Sequence, residues 1–270
     1  MITLIGMIRD EGRYVVEWLT YHWLIGFESF LIFLHECRDE TEDKIASLPF
    51  HVNTARVSGG DLGWELKNRV YSEGLSKAKT TWSVCLDIDE FLFLPQNSNI
   101  SDLLEASRFQ NVDSIAIHQN IFGSCGHEKS PYGLVIDNYN LRNADDVVDH
   151  DTAYPRYIEP QDLFKTVKPI VRTKSVVKVQ DSHRILCKRP PVDEVGEQFK
   201  QYNFKRKIEN IRLNHYFTKS KEDWQFKRSR ARLSGSKAYP DYWFEYFSSQ
   251  KTMDNEISSR FSEKINYFAK

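Results

Sequence analysis

Apolar and polar positions along the first 95 residues switch repeatedly between a two-residue and a three-to-four-residue period. Ile2 to Ile8 is a short run of β-forming residues ending at Arg9-Asp10-Glu11-Gly12. Tyr14, Val15, Trp18, Leu19, His22 and Trp23 then recur at helical spacing, which predicts an amphipathic helix of about three turns stopped at Gly26. Phe27 to Leu34 is a second strand, so the opening is a βαβ unit of a parallel sheet. Arg38 to Lys44 starts another helix, His51 to Val57 is a third strand, and Gly59 to Gly63 is a loop. Trp64 to Lys79 is helical, with Leu66, Val70 and Leu75 toward the core, and strand 81–86 follows.

Beyond that the pattern loosens. Asn99 to Phe109 predicts a short helix with Ser101 as its N-cap, and Ser114 to Gln119 alternates as a strand. Phe122 to Gly133 is a long loop rich in Gly, Ser and Pro, and Asp145 to Pro160 is a polar, irregular segment expected to be mobile. Lys168 to Val179 and Arg184 to Cys187 are strand-like, Pro190 to Gln198 is a loop, and Ile211 to Phe217 is a last strand. A helical tail runs from Lys221. The expected class is α/β, a Rossmann-like, mainly parallel sheet flanked by helices, with functional groups where strands end.

One stretch carries chemistry on its face. Thr81 to Leu94, TWSVCLDIDEFLFL, sets three carboxylates in an apolar frame. A strand alternates its side chains, so Asp87 and Asp89 are expected to project to one side and Ile88 and Glu90 to the other. Two neighbouring carboxylates in a desolvated site repel unless a cation lies between them, and a hard divalent ion is the natural remedy.

Composition narrows the classes. With 40% hydrophobic and 28% charged residues and a net charge of −1, the chain reads as an ordinary soluble protein, without the overall basic charge of a nucleic-acid binder. Basic residues concentrate near the end, with twelve Lys and Arg against three acids between Lys200 and Lys237. Cys37, Cys85, Cys125 and Cys187 are too widely spaced for a disulfide framework, and no apolar run reaches membrane-spanning length. A cytoplasmic protein, touching a membrane at most peripherally through its basic C-terminal region, is expected.

Several stretches together resemble the family 92-like and family 2-like glycosyltransferases. MIRDEGRYVVEWLTYHWLIGFESFLIF is similar to their opening strand, E-W-x-x-Y-H helix and I-G-F turn, and WSVCLDIDEFL to their D-x-D strand. FGSCGHEKSPYGLVIDNY resembles their F-G-S-x-G-H loop, and Lys165 to Arg184 their K-x-I-V-x-P segment, with Thr173 where the pattern has Pro. NHYFTKSKEDWQFKRSRA resembles their N-H-Y-x-x-K-S signature. The five matches fall in the family's order over about residues 1–232.

The resemblance implies a GT-A fold: a nucleotide-binding half at 1–95, an acceptor-binding half at 96–218 and a helical basic and aromatic extension at 219–270. It implies transfer of a hexosyl group from a nucleotide-sugar, a UDP-sugar, to a saccharide or lipid-linked acceptor, with inversion, Mn²⁺ or Mg²⁺ as cofactor, and a place in polysaccharide synthesis. Asp89 is then the direct metal ligand, Asp87 a ligand or ribose contact, and His215 the third ligand with His183 its rival. Asp10 and Glu11 are expected near the donor's base or ribose, although Asp10 would serve equally as a helix cap. Lys67 and Asn68 line the same pocket, and Lys219 reaches a phosphate. Glu128 and Asp181 compete as the base that takes the acceptor proton, and His127 contacts sugar or positions its loop. Two other classes compete: a D-x-D metal phosphatase, disfavoured because its motif belongs on a first strand, and a non-catalytic nucleotide- or sugar-binding protein. The aromatics from Trp224 to Phe247 read first as core packing, and the basic run 227–232 as a lipid or partner contact.

Overall fold

The computed structural model describes residues 1–59, 64–96, 99–144, 160, 163, 166–199, 208–229 and 239–268. The opening elements are β1 (Ile2–Ile8), α1 (Val15–Leu24), β2 (Ser29–His35), α2 (Thr41–Ala46), β3 (Asn53–Val57), α3 (Trp64–Lys77) and β4 (Trp82–Cys85). They are followed by β5 (Glu90–Phe93), α4 (Ile100–Leu104), β6 (Ser114–Ile121), α5 (Val135–Asn138), β7 (Leu141–Arg142), β8 (Val167–Arg172), β9 (Val176–Asp181) and β10 (Arg184–Cys187). The chain closes with β11 (Arg212–His215), α6 (Lys221–Ser229), α7 (Asp241–Ser248), β12 (Thr252–Met253) and α8 (Glu256–Phe268).

Eight strands form one sheet in the order β3-β2-β1-β4-β8-β6-β11-β5. β1 to β4 run parallel, and β8 is antiparallel to both β4 and β6, which returns β6 and its parallel neighbour β11 to the direction of β1. Six strands therefore point one way and only β8 and β5 oppose them, which is the mixed, mainly parallel sheet expected. Every residue of β1 is buried, as an apolar strand covered on both faces requires. From β1 the order runs outward to β2 and β3 and then returns to β4 on its other side. The β1/β4 boundary is thus the switch point at which open α/β sheets leave a crevice.

The E-W-x-x-Y-H helix is a structural clamp. Glu17 accepts the N–H groups of Val135 and Ile136 at 2.7 and 3.0 Å, and Trp18 Nε1 donates to the Glu90 carbonyl at 2.8 Å. Tyr21 donates to the Leu92 carbonyl at 2.6 Å, and His22 Nε2 accepts the Leu92 N–H at 3.4 Å. These bonds fix β5, and so the end of the acidic stretch, against α1. Burial pushes the Glu17 carboxyl up to about 7 against the two N–H groups it accepts.

α1 ends in a Schellman turn, with Gly26 N–H on the Trp23 carbonyl and Phe27 N–H on the His22 carbonyl. Gly26 has φ +98°, and a Cβ there would lie 2.5 Å from Asn99 Oδ1. Asn99, not Ser101, is the N-cap of α4, its side chain accepting the Ser101 N–H. A Gly26→Ala variant is expected to lose about 1–3 kcal/mol, the cost of forcing a left-handed conformation on a residue with a Cβ, read from its urea midpoint.

Four further expectations are corrected. Thr81 to Leu94 is two strands at different places in the sheet, joined by a turn in which Glu90 N–H donates to the Asp87 carbonyl at 3.0 Å. Side-chain alternation does not run through it. Lys168 to Val179 is likewise two strands, β8 in the main sheet and β9 in a hairpin with β10, broken at Thr173–Ser175. β6 runs two residues past Gln119, to Ile121. Asp10 does not cap α1, whose N-cap is Tyr14; Asp10 Oδ1 accepts the Arg38 N–H at 2.7 Å instead. The segment from Asp145 to Glu159, expected to be mobile, lies outside the described residues, as do Gly60 to Gly63.

The described residues of 219–270 include α6, α7 and α8, with β12 between the last two. Ile257, Phe261 and Ile265 of α8 join the main core, Phe261 packing edge-on to Tyr21 at 5.1 Å. Trp224, Trp243, Phe244 and Phe247 bury around Phe217 in a second cluster, so these tail aromatics are core. No described helix is long and apolar enough to cross a membrane.

Candidate functional site

The C-terminal ends of β1, β4, β6 and β11 share one edge of the sheet, and β5 and β8, which run the other way, begin there. Topology therefore gathers Asp10, the 87–90 turn, Lys168 and His215 at that edge, although they span most of the chain.

Lysines organise the turn. Asp87 Oδ1 receives Lys67 Nζ at 2.5 Å and the Tyr71 hydroxyl at 3.2 Å, and Oδ2 lies 3.2 Å from Lys168 Nζ. Lys168, 0% exposed, also contacts Glu90 Oε2 at 2.9 Å, and that same oxygen accepts the Asp87 N–H. Glu90 thus sits beside Asp87 on a shared ammonium, not on the opposite face. Burial favours the neutral form of Asp87, yet Lys168 and Lys67 outweigh it and hold the carboxyl well below the usual range. Burial equally disfavours the Lys168 ammonium, and Asp87 and Glu90 outweigh that penalty and push it up. For Glu90 burial wins, raising its carboxyl against the pull of Lys168.

Asp89 faces the other way. His215 is the direct cross-strand partner of Glu90, and Tyr216 N–H donates to the Asp89 carbonyl at 2.8 Å, which brings the imidazole beside the turn. His215 Nε2 stands 3.5 Å from Asp89 Oδ1, and Lys227 Nζ, from α6, lies 2.8 Å from Oδ2. Burial opposes ionisation of Asp89, but Lys227 and His215 outweigh it and keep the carboxyl well below its usual range.

The other ring nitrogen of His215 defines what the first can do. Gln119 Nε2 donates to the Leu163 carbonyl at 2.5 Å, leaving Oε1 to accept from His215 Nδ1 at 2.9 Å. With Nδ1 the donor, a neutral ring presents an Nε2 lone pair to the carboxylate oxygen, whereas a protonated ring donates Nε2–H to it and adds its charge to that of Lys227. In the neutral ring the two acceptors, 3.5 Å apart, are what a cation between them would satisfy. Metal-binding histidines characteristically donate their second N–H in this way. The pair therefore fits two adjacent positions on a divalent ion, which takes one or two protein carboxylates and fills the rest with phosphate and water oxygens. Asp87, committed to two lysines and a tyrosine, fits less well. Among the described residues no three His, Cys, Asp or Glu side chains are grouped to hold a metal by themselves.

The remaining candidates fall in three places. Asp10 and Glu11 follow β1 at the switch point, Asp10 at φ +51° and Glu11 N–H on Thr41 Oγ1 at 2.9 Å. Asn68 Nδ2 donates to the Gln180 carbonyl at 2.5 Å, tying α3 to the β9–β10 hairpin. At the hairpin's turn Asp181 Oδ1 accepts the His183 N–H at 2.7 Å, and His183 Nδ1 meets the Val167 carbonyl at 3.1 Å. Burial holds the His183 imidazole neutral, well below its usual range.

The third place is the loop after β6. His127 Nε2 contacts the Asn138 carbonyl at 3.2 Å, while Lys221 and Glu222 N–H donate to the His127 and Glu128 carbonyls at 3.0 Å each. Ser220 and Asp223 form a capping box at the start of α6, and Tyr14 donates to Asp223 at 2.5 Å. Both resembling motifs, G-H-E-K-S and N-H-Y-x-x-K-S, are therefore halves of one stitched unit. Glu128 is 76% exposed and 3.7 Å from Lys221, and the Lys219 ammonium lies 4.6 Å over the Tyr14 ring. Within the basic run 227–232, Lys227 is spent on Asp89 and Arg228 pairs with Asp241, while 230–232 lie outside the described residues.

Glu90's place beside Asp87, Lys168, Lys227 and Gln119 were not read from the sequence. A lone lysine in the apolar run Val167 to Val171 is a signal of a buried, paired cation; Lys227 and Gln119 give none.

The sequence pattern of Glycosyltransferase family 92 matches residues 75–265. A glycosyltransferase family 92 protein of Ricinus communis is 28% identical over 144 residues, 50% of this chain and 25% of that protein. One of Oryza sativa subsp. japonica is 24% identical over 140 residues, 51% of this chain and 24% of that protein. The match thus spans about a quarter of the length of these relatives. The crystal structure of S. aureus TarS 1–349 is 12% identical with a TM-score of 0.44, over 97% of this chain and 73% of that one. The family pattern covers well over half of the sequence, including the acidic turn, His215 and α6, and the chain belongs to glycosyltransferase family 92.

Proposed function

We propose that this chain is a metal-dependent glycosyltransferase that moves a hexosyl group from a UDP-sugar to a saccharide or lipid-linked acceptor, with inversion. The observation that carries the reading is the 87–90 turn beside the sheet's switch point, where Asp89 Oδ1 and His215 Nε2 face each other at 3.5 Å. Asp89 and His215 would hold a divalent cation there, and it would supply Lewis-acid stabilisation of the charge that gathers on the departing diphosphate.

The chain's own groups divide the rest of the work. Asp10 and Glu11 at the end of β1, with Asn68 on α3, border the place for the donor's base and ribose. Lys67 and Lys168 fix Asp87 as a charged wall of that pocket, so that the turn does not reorganise when the donor enters. Lys219 completes the positive side. Glu128 is the proposed base, an exposed carboxylate on the loop joined to α6; Lys221, its neighbour at 3.7 Å, begins the helix that carries Lys227. Asp181 is assigned to the hairpin turn it caps, and His127 and His183 to positioning their loops.

Calorimetric titration of UDP, with and without Mn²⁺, tests the reading in wild type and Asp89→Ala. Metal-dependent UDP binding that the variant loses is expected. Binding of a different nucleoside diphosphate would change the donor, and no metal-dependent nucleotide binding would sink the transferase reading in favour of a non-catalytic role.

A further inference from the structure

Lys227 reaches the site from a helix, not from the sheet. Its ammonium lies 2.8 Å from Asp89 Oδ2, 2.9 Å from the Phe217 carbonyl and 4.2 Å above the Phe217 ring. Three lysines serve the acidic turn, and their exposure separates them: 0% for Lys168, 16% for Lys67 and 32% for Lys227. Lys168 cannot move without opening the core. Lys227 can swing on its four-carbon stem while its helix stays anchored by buried Trp224.

The two oxygens of Asp89 are divided between unlike partners, with the His215 nitrogen on one and the Lys227 ammonium on the other. A divalent ion placed on Asp89 and His215 would share one carboxylate with a second cation, and like charges so close repel. Metal alone is therefore opposed by the protein's own ammonium. A diphosphate changes the balance, because it offers a primary ammonium another anionic partner within the same site.

We propose that Lys227 is an internal counter-ion that occupies Asp89 in the empty enzyme and transfers to the donor's diphosphate when metal and donor arrive together. This rests on the metal-dependent donor site proposed above. The exchange makes metal and nucleotide binding mutually dependent, and linkage requires the dependence to be equal in both directions. It also gives the turn a neutral resting state. The charges of Asp87, Asp89 and Glu90 are met by Lys67, Lys168 and Lys227 until a ligand brings its own.

The test is calorimetry of Mn²⁺ with and without UDP, and of UDP with and without Mn²⁺, in wild type, Lys227→Met and Lys227→Arg. In Lys227→Met, Mn²⁺ alone should bind roughly tenfold tighter and UDP in saturating Mn²⁺ roughly tenfold weaker, opposite signs from one substitution, a size typical of coupled sites. Lys227→Arg, which keeps the charge, should retain the wild-type coupling. Lys227→Gln takes the same measurements if the methionine variant does not melt cooperatively. Unchanged or weakened Mn²⁺ binding in the neutral variants, with Mn²⁺-dependent UDP binding intact in wild type, overturns the exchange and leaves the donor site standing. Absence of that dependence in wild type overturns the donor-site reading and the exchange with it.

Discussion

Replacing Lys168 with methionine is expected to cost about 3–5 kcal/mol of stability at neutral pH, the usual loss when one partner of a buried ion pair is removed. Lys168 is wholly buried and stands between two carboxylates, Asp87 at 3.2 Å and Glu90 at 2.9 Å. Without it Asp87 keeps Lys67, but Glu90, 0% exposed, keeps no cation on Oε2 and must take a proton or stay charged in the core. The double variant Lys168→Met, Glu90→Gln should therefore lose less than the sum of the single changes. Urea midpoints at constant m-value give the cycle. A single-variant loss below about 1 kcal/mol, the size of an exposed pair, would show that water replaces the ammonium at no great cost and that the turn is not built on Lys168.

Asp89→Asn should leave the fold nearly intact and remove about three orders of magnitude from turnover, the size of several kcal/mol of transition-state charge stabilisation. The amide is close in shape, can still face His215, and lacks the charge that pairs with Lys227 and that the proposed cation would need. Hydrolysis of a UDP-sugar in the absence of acceptor measures the effect without knowledge of the acceptor. His215→Ala should fall in the same direction, because it removes the second facing atom. A loss under about tenfold in Asp89→Asn, with the melting temperature unchanged, would move the donor's metal away from this turn and leave Asp89 a structural partner of Lys227.

Both experiments concern side chains whose importance was unequally visible along the chain. The Asp87-x-Asp89 pair stands out because charges are rarely set in an apolar frame, and that argument needs only neighbours in sequence. The expected geometry failed for a tertiary reason. Alternation presumes one strand, whereas the chain leaves β4, turns over Asp87 to Glu90, and enters β5 at the far edge of the sheet. Once it turns, Glu90 comes to Asp87's side and Asp89 points to His215. Asn99 in place of Ser101 as the cap of α4 is a smaller miss, within the reach of local reading, since either residue type caps well. His127 and Asp181 were visible as polar residues in loops, and their contacts tie those loops together.

By itself the sequence determined the local periods, hence the βαβ opening and most of the strands, and it placed three carboxylates at a strand end. Those properties depend on residues within a few positions of one another. Only the tertiary structure decided which charges meet. Lys168 reaches Asp87 from 81 residues away and Lys227 reaches Asp89 from 138. Gln119 sets the His215 ring from a neighbouring strand, 96 residues distant. The reason is physical: a side chain's partners at a sheet edge are fixed by strand order and direction. That order is chosen by the burial of whole faces, which no spacing along the chain records.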